Sequence, residues 1–306
     1  FVSVSEYITL PRDKETWLIK PLIPTGGAGL IFASTKTGKS ASCIQLAAAL
    51  SGETPDWLGF PVGKRGRVLY LQLDTPRSTW ADRFEKFRRY GYHLDDDLIK
   101  LADRETLPRY PFDILQPTHF KDLHDLIQVH QPVVAVIIDT LRKAHSGEEN
   151  SSTIMSNVIS NLVGVTAPAA LILVSHDRKA DPDREKDLFA DHRGNTSVVS
   201  EMDAVLRFTK TRLFYGGRSI EEGFIKLTRK DFDGALIWGV EDDDKETTTL
   251  NVLMNPDLPS LRAKSIVLAP LLKITEEAAM SRLRRAQAKL EETQQPRLVG
   301  QVSSIE

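Results

Sequence analysis

The chain has 306 residues, of which 41% are hydrophobic and 27% are charged, the balance of a globular protein rather than of a disordered or collagen-like one. Its formal net charge of −2 argues against a protein that coats nucleic acid with its whole surface, and its single cysteine excludes an internal disulfide framework and a multi-cysteine zinc site. No apolar run approaches the roughly 20 residues that cross a bilayer. We expect a cytoplasmic protein, and the start at Phe1, without methionine or signal peptide, indicates processing or truncation.

Four apolar runs predict strands in the first part of the chain, at residues 29–33, 68–73, 133–138 and 170–174. The last three are continuous rather than alternating, which is typical of parallel strands that are covered on both faces. Helical patterns lie between the runs, at residues 40–51, 79–90, 119–130 and 152–165. Strands that alternate with helices predict βαβ crossovers, so we expect an α/β core around a mostly parallel central sheet.

Shorter strand patterns follow at residues 204–209, 224–228 and 236–240, with residues 214–222 expected as a connecting loop. They predict a terminal, antiparallel portion of the sheet. The next stretch is acidic, then threonine-rich, then proline-containing, which is typical of a linker. We therefore expect an ATPase-sized core with a short N-terminal lead-in, a linker and a small helical segment, at residues 1–243, 244–260 and 261–306.

The C-terminal segment carries two helical patterns, at residues 262–272 and 275–292. Thr275 is suited to cap the second helix, with Glu276 and Glu277 in its first turn, where carboxylates favour the helix dipole. The same helix is basic, through Arg282, Arg284, Arg285 and Lys289. Two interpretations stay open: a helix-turn-helix or winged-helix module that touches DNA phosphates, and a solvated amphipathic helix or subunit-packing arm.

A phosphate-binding loop is predicted at residues 33–40, where Ala-Ser-Thr-Lys-Thr-Gly-Lys-Ser matches G-x-x-x-x-G-K-[ST] except at its first position. A strand enters and a helix leaves, so backbone N–H groups would converge on the phosphate oxygens of ATP. Lys39 is expected to neutralise the β- and γ-phosphates, and the Ser40 hydroxyl to bind Mg²⁺. Gly38 lets the loop curl, whereas Ala33, in place of the first glycine, should tolerate a positive φ poorly. The remaining residues expected to cradle the phosphates are Ser34, Thr35, Lys36 and Thr37. The alternative is a chance Gly-Lys-Ser turn, which the strand–loop–helix frame disfavours.

Two further predicted strands end in a carboxylate. The strand at 133–138 leads into Asp139, which should face the same crevice as the loop, because ligands bind at the carboxyl ends of parallel strands. We expect Asp139 to hold Mg²⁺ through a water or through Ser40. The strand at 68–73 leads into Asp74, our candidate for orienting or deprotonating the attacking water. The alternatives are an exposed strand-end carboxylate for Asp139 and a cap of the following helix for Asp74.

The strand at 170–174 leads into Ser175 and His176, which could sense the γ-phosphate and signal its presence to the following loop. A purely structural role for the histidine carries equal weight. The loop is long and polar, and we expect it to contact a translocating polymer through Arg184, Lys186 and Arg193. A solvated loop is the equally weighted alternative. The histidines that have no comparable setting are expected at the surface, namely His119, His124, His130 and His145.

The order of these motifs resembles that of the RepA-like hexameric ATPases, the RecA-fold replicative helicases of plasmids and phages. The resemblance covers about residues 15–240 and is carried by the segments at 17–19, 26–27, 34–40, 68–71, 137–141, 175–179 and 193–194. The ordered set is specific for a RecA-like P-loop core. It is less specific for helicase activity, because the relatives include recombinases and other motors.

The resemblance implies a homohexameric ring with ATP between subunits and single-stranded DNA in a central channel. The channel loops would fall at residues 142–152 and 180–193, and replication proteins would be further partners. It also implies a basic finger from the neighbouring subunit, which stabilises charge in the transition state. Our first choice for the finger is Arg229, and the other candidates are Arg207, Lys210, Arg212 and Lys230.

Three departures from the family pattern bear on the rate of hydrolysis. Ala33 replaces the first glycine of the loop, and Asp74 stands where the family usually has a glutamate, which is one methylene longer. One histidine followed by Asp177 stands where two adjacent histidines are frequent. We therefore expect secure nucleotide binding but slower hydrolysis.

The leading hypothesis is an ATP-hydrolysing, Mg²⁺-dependent DNA helicase of RepA-like type. A RecA-like recombinase or filament ATPase is the first alternative, with residues 2–8 as a thin candidate for the element that would link its subunits. A non-motor regulator that oligomerises on nucleotide is the second.

Overall fold

The computed structural model describes residues 2–10, 16–177, 196–241, 253, 260–272, 275–277, 279–281, 283–284 and 287. The chain divides into two compact units, residues 1–240 and residues 241–306, and each is described by itself. The predicted linker boundaries stay predictions, because most of residues 244–260 lie outside the described part.

The first unit alternates strands and helices. Its helices are α1 (Val4–Thr9), α2 (Lys39–Ser51), α3 (Arg77–Tyr90), α4 (Pro117–Val129), α5 (Ser152–Thr166) and α6 (Thr196–Ser200). Its strands are β1 (Trp17–Ile19), β2 (Ile23–Pro24), β3 (Ala28–Ala33), β4 (Asp56–Trp57), β5 (Phe60–Pro61), β6 (Arg67–Gln72), β7 (Ile99–Asp103), β8 (Val133–Asp139), β9 (Ala170–His176), β10 (Ala204–Phe208), β11 (Arg212–Gly217), β12 (Ile220–Phe232) and β13 (Ala235–Val240).

One large sheet organises this unit, with the strand order β13-β12-β11-β10-β3-β9-β8-β6-β7. Every neighbouring pair from β10 to β7 is parallel, whereas β11, β12 and β13 pair antiparallel along the other edge. The parallel strands leave their carboxyl ends at one edge of the sheet, where ligands bind in folds of this kind. The prediction of an α/β fold with a mostly parallel sheet is confirmed.

Both faces of the parallel strands are buried, which explains their continuous apolar runs. One apolar core lies under α2 and α3 and takes in Cys43, Trp80 and Phe87. The other lies under α4 and α5 and takes in Leu123, Ile127 and Val158. Along β8, Ile137 faces the first core and Ile138 the second, so the strand has no solvent side on which polar residues would be favourable.

The antiparallel edge differs from its prediction. Residues 214–222, expected as a loop, instead form most of β11 and the start of β12, and only residues 218–219 turn between them. The pattern was misleading because exposed antiparallel strands carry polar side chains, as Glu221 and Glu222 do here. The segment also holds Gly216 and Gly217, which are typical of turns.

The second unit is described in part. Its helix α7 (Leu261–Leu272) confirms the pattern at 262–272, and Leu268, Ala279 and Leu283 share a small apolar cluster with Leu253. The helix predicted at 275–292 lies largely outside the described residues, including three of its four basic residues, and the winged-helix hypothesis stays a prediction. None of the helices in the described part of the chain is long and apolar enough to cross a membrane.

Candidate nucleotide-binding site

The loop between β3 and α2 has the geometry of a phosphate-binding loop. Gly38 has a φ of 109°, and Lys36 adopts a φ of 61°. A Cβ on Gly38 would lie 2.9 Å from Leu236 Cδ2 and 3.0 Å from Trp238 Nε1, so only glycine fits. Ser34, Thr35 and Lys36 are exposed at the tip, where their backbone can reach a ligand.

Ala33 does not weaken the loop in the way its position in the motif predicted. It is the last residue of β3, paired with His176 on one side and Phe208 on the other, and it is not among the described residues with positive φ. An extended backbone accepts alanine without strain. Its carbonyl oxygen accepts hydrogen bonds from Lys39 Nζ at 2.9 Å and from the Asp177 N–H at 3.0 Å.

Lys39 begins α2 and is almost completely buried, with 7% of its surface exposed. Its Nζ donates to the carbonyl oxygens of Ala33 and Ser34 at 2.9 and 3.3 Å, and lies 3.3 Å from His176 Nδ1. Burial lowers the pKa of Lys39, and the negative charge of Asp139 is the largest opposing influence. The ammonium group is thus held at the mouth of the loop by carbonyl groups, which a phosphate can replace.

Ser40 and Asp139 meet across the site. The Ser40 hydroxyl donates to Asp139 Oδ2 at 2.8 Å, and the Tyr70 hydroxyl donates to the same oxygen at 3.0 Å. Asp139 is 3% exposed, and burial raises the pKa of its carboxyl group above the ordinary 3.8, against the lowering effect of both hydrogen bonds and of Lys39. The peptide bond that follows Asp139 is cis.

The donor set of this pair fits Mg²⁺ bound together with a nucleotide. Mg²⁺ is usually held in proteins by one or two side-chain oxygens, with phosphates and waters completing its shell. Ser40 and Asp139 offer a hydroxyl and a carboxylate within hydrogen-bond distance of each other. Among the described residues no group of three or more His, Cys, Asp or Glu could hold a metal alone, so the fit requires the nucleotide.

Asp74 stands exposed just after β6, and its charge acts on Lys39, whose pKa it helps to raise. The alternative role as a cap of α3 finds no support, because the N-cap residue is Pro76 and the helix start has no side-chain cap. The carboxylate is therefore directed to the nucleotide edge without a structural bond that would hold it elsewhere among the described contacts.

The third strand end brings His176 to Lys39 and places Asp177 beside Arg207. The Arg207 guanidinium donates to Asp177 Oδ2 at 3.0 and 3.2 Å, and both side chains are more than nine-tenths buried. This pairing removes Arg207 from the candidates for a finger that projects into a neighbouring subunit. Ser175 lies 9% exposed at the end of the same strand.

The other finger candidates lie on the antiparallel edge or at its border. Lys210 is exposed between β10 and β11, Arg212 stacks on Phe224 at 4.8 Å, and Lys230 on Tyr90 at 5.1 Å. Arg229 is exposed and lies 5.8 Å over the Trp238 ring. Trp238 in turn donates through Nε1 to the Gly38 carbonyl at 3.0 Å, so Arg229 is one ring away from the phosphate loop of its own chain.

The polymer-contacting residues proposed from the sequence, Arg184, Lys186 and Arg193, lie outside the described residues. The other predicted channel loop starts with a short 3₁₀ helix, Leu141–Lys143, from which Arg142 projects half-exposed toward Glu149. His145 in this loop was expected at the surface, and that expectation is wrong, because the residue is 4% exposed. Burial lowers the pKa of its imidazole.

Sequence reasoning missed Tyr70, Gln45 and Trp238. Tyr70 belongs to a continuous apolar run and therefore resembled a core aromatic residue. Gln45 holds β13 against α2, because its amide donates to the Trp238 carbonyl at 2.8 Å and accepts from the Trp238 N–H at 3.0 Å. A glutamine inside the otherwise apolar helix at 40–51 was the one available signal of this contact.

Comparison with known proteins agrees with this geometry. A family model described as AAA domain matches residues 2–182. A solved structure of the ATPase domain of a phage helicase matches with a TM-score of 0.51 at 13% sequence identity, covering 71% of this chain and 86% of that one. A KaiC-like protein from Pyrococcus horikoshii OT3 matches with a TM-score of 0.46 at 13% identity, covering 74% and 98%. The sheet order, the loop and the first of these likenesses identify the core as a RecA-like P-loop ATPase fold, so the resemblance of the sequence to RecA-fold ATPases is confirmed.

Proposed function

The chain belongs to the AAA domain family, and from this premise we propose that it is an ATP-driven ring motor, a DNA helicase of RepA-like type. A P-loop ATPase core is what the motor requires, and this chain has one. The observation that carries the proposal is the 2.8 Å contact between Ser40 and Asp139, because it joins the phosphate loop to the second acidic strand.

The chain's own residues divide the work of hydrolysis among them. Lys39 exchanges its carbonyl partners for the β- and γ-phosphates, and the N–H groups at the start of α2 add donors. Ser40 and Asp139 hold Mg²⁺, which neutralises phosphate charge during transfer. Asp74 accepts a proton from the attacking water as general base. His176, 3.3 Å from Lys39, detects whether the γ-phosphate is present.

Charge that develops on the transferred phosphoryl group needs further positive charge, which a finger from a neighbouring subunit supplies. Arg229 remains our first choice, since it is exposed and Arg207 is committed to Asp177. Single-stranded DNA would contact Arg184, Lys186 and Arg193 in the channel of a homohexameric ring. A net charge of −2 does not oppose this proposal, because a ring needs positive charge only along its channel.

Helix α1 supports assembly into an oligomer. It buries none of its residues, while Val4, Tyr7 and Ile8 are exposed by 77%, 67% and 59%. A small helix that exposes this much apolar surface gains stability when a second copy covers it. The contact is compatible with a ring or a filament, so the form of the oligomer is a matter for experiment.

The deciding experiment measures ATP hydrolysis with and without single-stranded DNA, together with displacement of a forked duplex. We expect DNA to stimulate hydrolysis, and Lys39→Ala to abolish both activities. Lys121→Ala is the matched control, because Lys121 is exposed on α4 and has only an i,i+4 pair with Asp125. Hydrolysis that ignores DNA would leave a P-loop ATPase but overturn the motor.

Electron microscopy with an ATP analogue separates the remaining forms. Closed rings support the helicase, filaments on DNA support a recombinase, and nucleotide-dependent oligomers without strand displacement support a regulator.

A further inference from the structure

A second cavity of about 450 Å³ lies between α3 and the strands β6 and β7, and no residue of the phosphate loop lines it. Its volume falls in the range of roughly 300–1,000 Å³ that small-molecule sites occupy. Tyr70, Trp80 and Phe84 form an aromatic wall, with ring centroids 5.0 Å apart for the first pair and 5.5 Å for the second. Leu94 and Ile99 contribute aliphatic surface.

Buried polar atoms without partners line the same cavity. Gln72 is 5% exposed, and neither its amide nitrogen nor its amide oxygen has a hydrogen-bond partner among the described residues. The indole N–H of Trp80, also 5% exposed, lacks a partner in the same sense. A buried polar group without a partner costs about 1–3 kcal/mol. Three such atoms beside one cavity indicate that a ligand completes their hydrogen bonding.

We propose that this cavity binds a neutral adenine-type base, as the free nucleobase or as its nucleoside, with Gln72 as the recognition residue. A primary amide presents a donor and an acceptor side by side, and glutamine pairs with the N6 and N7 edge of adenine through both. A flat heteroaromatic ring also suits the wall of Tyr70, Trp80 and Phe84, because bases stack on aromatic side chains irrespective of sequence.

The charges at the rim select against phosphates. The cavity lining contains more carboxylates than guanidinium groups, namely Glu85, Asp95, Asp96 and Asp103 against Arg77 and Arg88. Both guanidinium groups are already paired, Arg77 with Asp103 at 2.7 Å and Arg88 with Asp96. A polyphosphate would meet uncompensated negative charge, so this site differs in chemistry from the ATP site at Lys39. The same argument disfavours an adenine base within single-stranded DNA, whose flanking phosphates would approach the rim.

The test measures adenosine binding to the full chain by calorimetry, with saturating ADP and Mg²⁺ present to fill the phosphate-loop site. We expect adenosine to bind under these conditions, and Gln72→Leu to weaken its affinity by about tenfold to hundredfold, the value of one bidentate pair. Leucine has nearly the shape of glutamine, so the fold should tolerate the change. Gln128→Leu, on the exposed side of α4, is the matched control and should leave the affinity unchanged.

Three results would overturn the assignment: displacement of adenosine by ADP, unchanged affinity in the Gln72→Leu variant, or no binding of adenosine at all, as expected if water alone fills the cavity. An oligonucleotide of deoxyadenosines that competes with adenosine would shift the source of the base to DNA and contradict the role of the rim. Trp80→Phe gives an independent check, because it removes an N–H donor while keeping an aromatic ring. None of these results depends on helicase activity, so the motor and the adenine site can fail separately.

Discussion

Removing the Tyr70 hydroxyl tests whether the buried Asp139 carboxylate is held as the structure describes. Tyr70 lies on β6 beside β8, and its hydroxyl donates to Asp139 Oδ2 at 3.0 Å. Burial raises the pKa of Tyr70 well above 10.0, so the hydroxyl keeps its proton and acts as a donor at all ordinary pH values. Tyr70→Phe deletes this donor and leaves the ring, which stacks with Trp80 at 5.0 Å, in place.

The cost of this change should depend on pH, with a definite sign. The pKa of Asp139 in the folded protein lies above 3.8, so its contribution to stability is fully present in acid and is lost as the pH rises through the folded value. Tyr70 lowers that pKa by bonding to the charged form, and its removal raises the pKa further. A hydrogen bond to a neutral partner contributes about 0.5–1.5 kcal/mol and one to a charged partner about 1.5–3 kcal/mol. The variant should therefore lose about 1 kcal/mol in acid and about twice that or more at neutral pH.

The assay is urea unfolding of both proteins at several values from about pH 4 to about pH 8, without nucleotide or Mg²⁺. Tyr92→Phe is the control, because the Tyr92 hydroxyl is bonded to the neutral amide of Gln45 at 2.7 Å. Its cost should stay constant over the same interval. A cost for Tyr70→Phe that is equally flat, or that falls as the pH rises, would refute the idea that Asp139 is an ionised, hydrogen-bonded carboxylate in the free protein.

Three more predictions follow from the site and its surroundings. Asp74→Asn should lower kcat for ATP hydrolysis by about 10²–10⁴ with unchanged nucleotide affinity, since a general base acts on the rate, whereas Asp74→Glu should hydrolyse faster than the parent; steady-state kinetics with a separate binding measurement checks both, and a loss of affinity would make the role structural. Arg207→Met should destabilise the protein by about 3–5 kcal/mol in urea unfolding because it strands the buried Asp177, and a second change, Asp177→Leu, should recover most of that loss; no recovery would mean that the ion pair is not the cause. Gln72→Leu should raise the free energy of unfolding of the ligand-free protein by about 1–3 kcal/mol, and a decrease would contradict the absence of partners for that amide.

The parallel half of the sheet could be predicted because burial on both faces leaves a plain trace in the sequence. Residues 133–138 have no polar position, and in the structure all of β8 is buried. Strand β7 was missed for the opposite reason. It is an edge strand, Leu101 is 51% exposed, and the lysine and aspartate within it mask any apolar run.

The acidic and phosphate-binding residues could be predicted because each follows directly on a strand or opens a helix. Ser40 and Asp139 required only the rule that parallel strands end at one edge. Tyr70 could not be found in this way, since its role depends on a hydroxyl that crosses to the neighbouring strand. The burial of Arg207 could not be found either, because its partner Asp177 follows β9, which is separated from β10 by another strand in the sheet.

The contact between Trp238 and Gly38 has the widest consequence of those that local sequence could not reveal. β13 folds back so that its indole donates to the loop carbonyl at 3.0 Å, and the Gln45 amide fixes its backbone on α2. Arg229 rests on the outer side of the same indole at 5.8 Å. A finger role for Arg229 then has a physical corollary: the guanidinium must leave the Trp238 ring to reach a neighbouring subunit, and a cation–π contact of this kind contributes about 0.5–1 kcal/mol when exposed. That cost is small beside the stabilisation that a finger gives to the transition state, so the edge hairpin can hold Arg229 near its own loop between turnovers without preventing its use in trans.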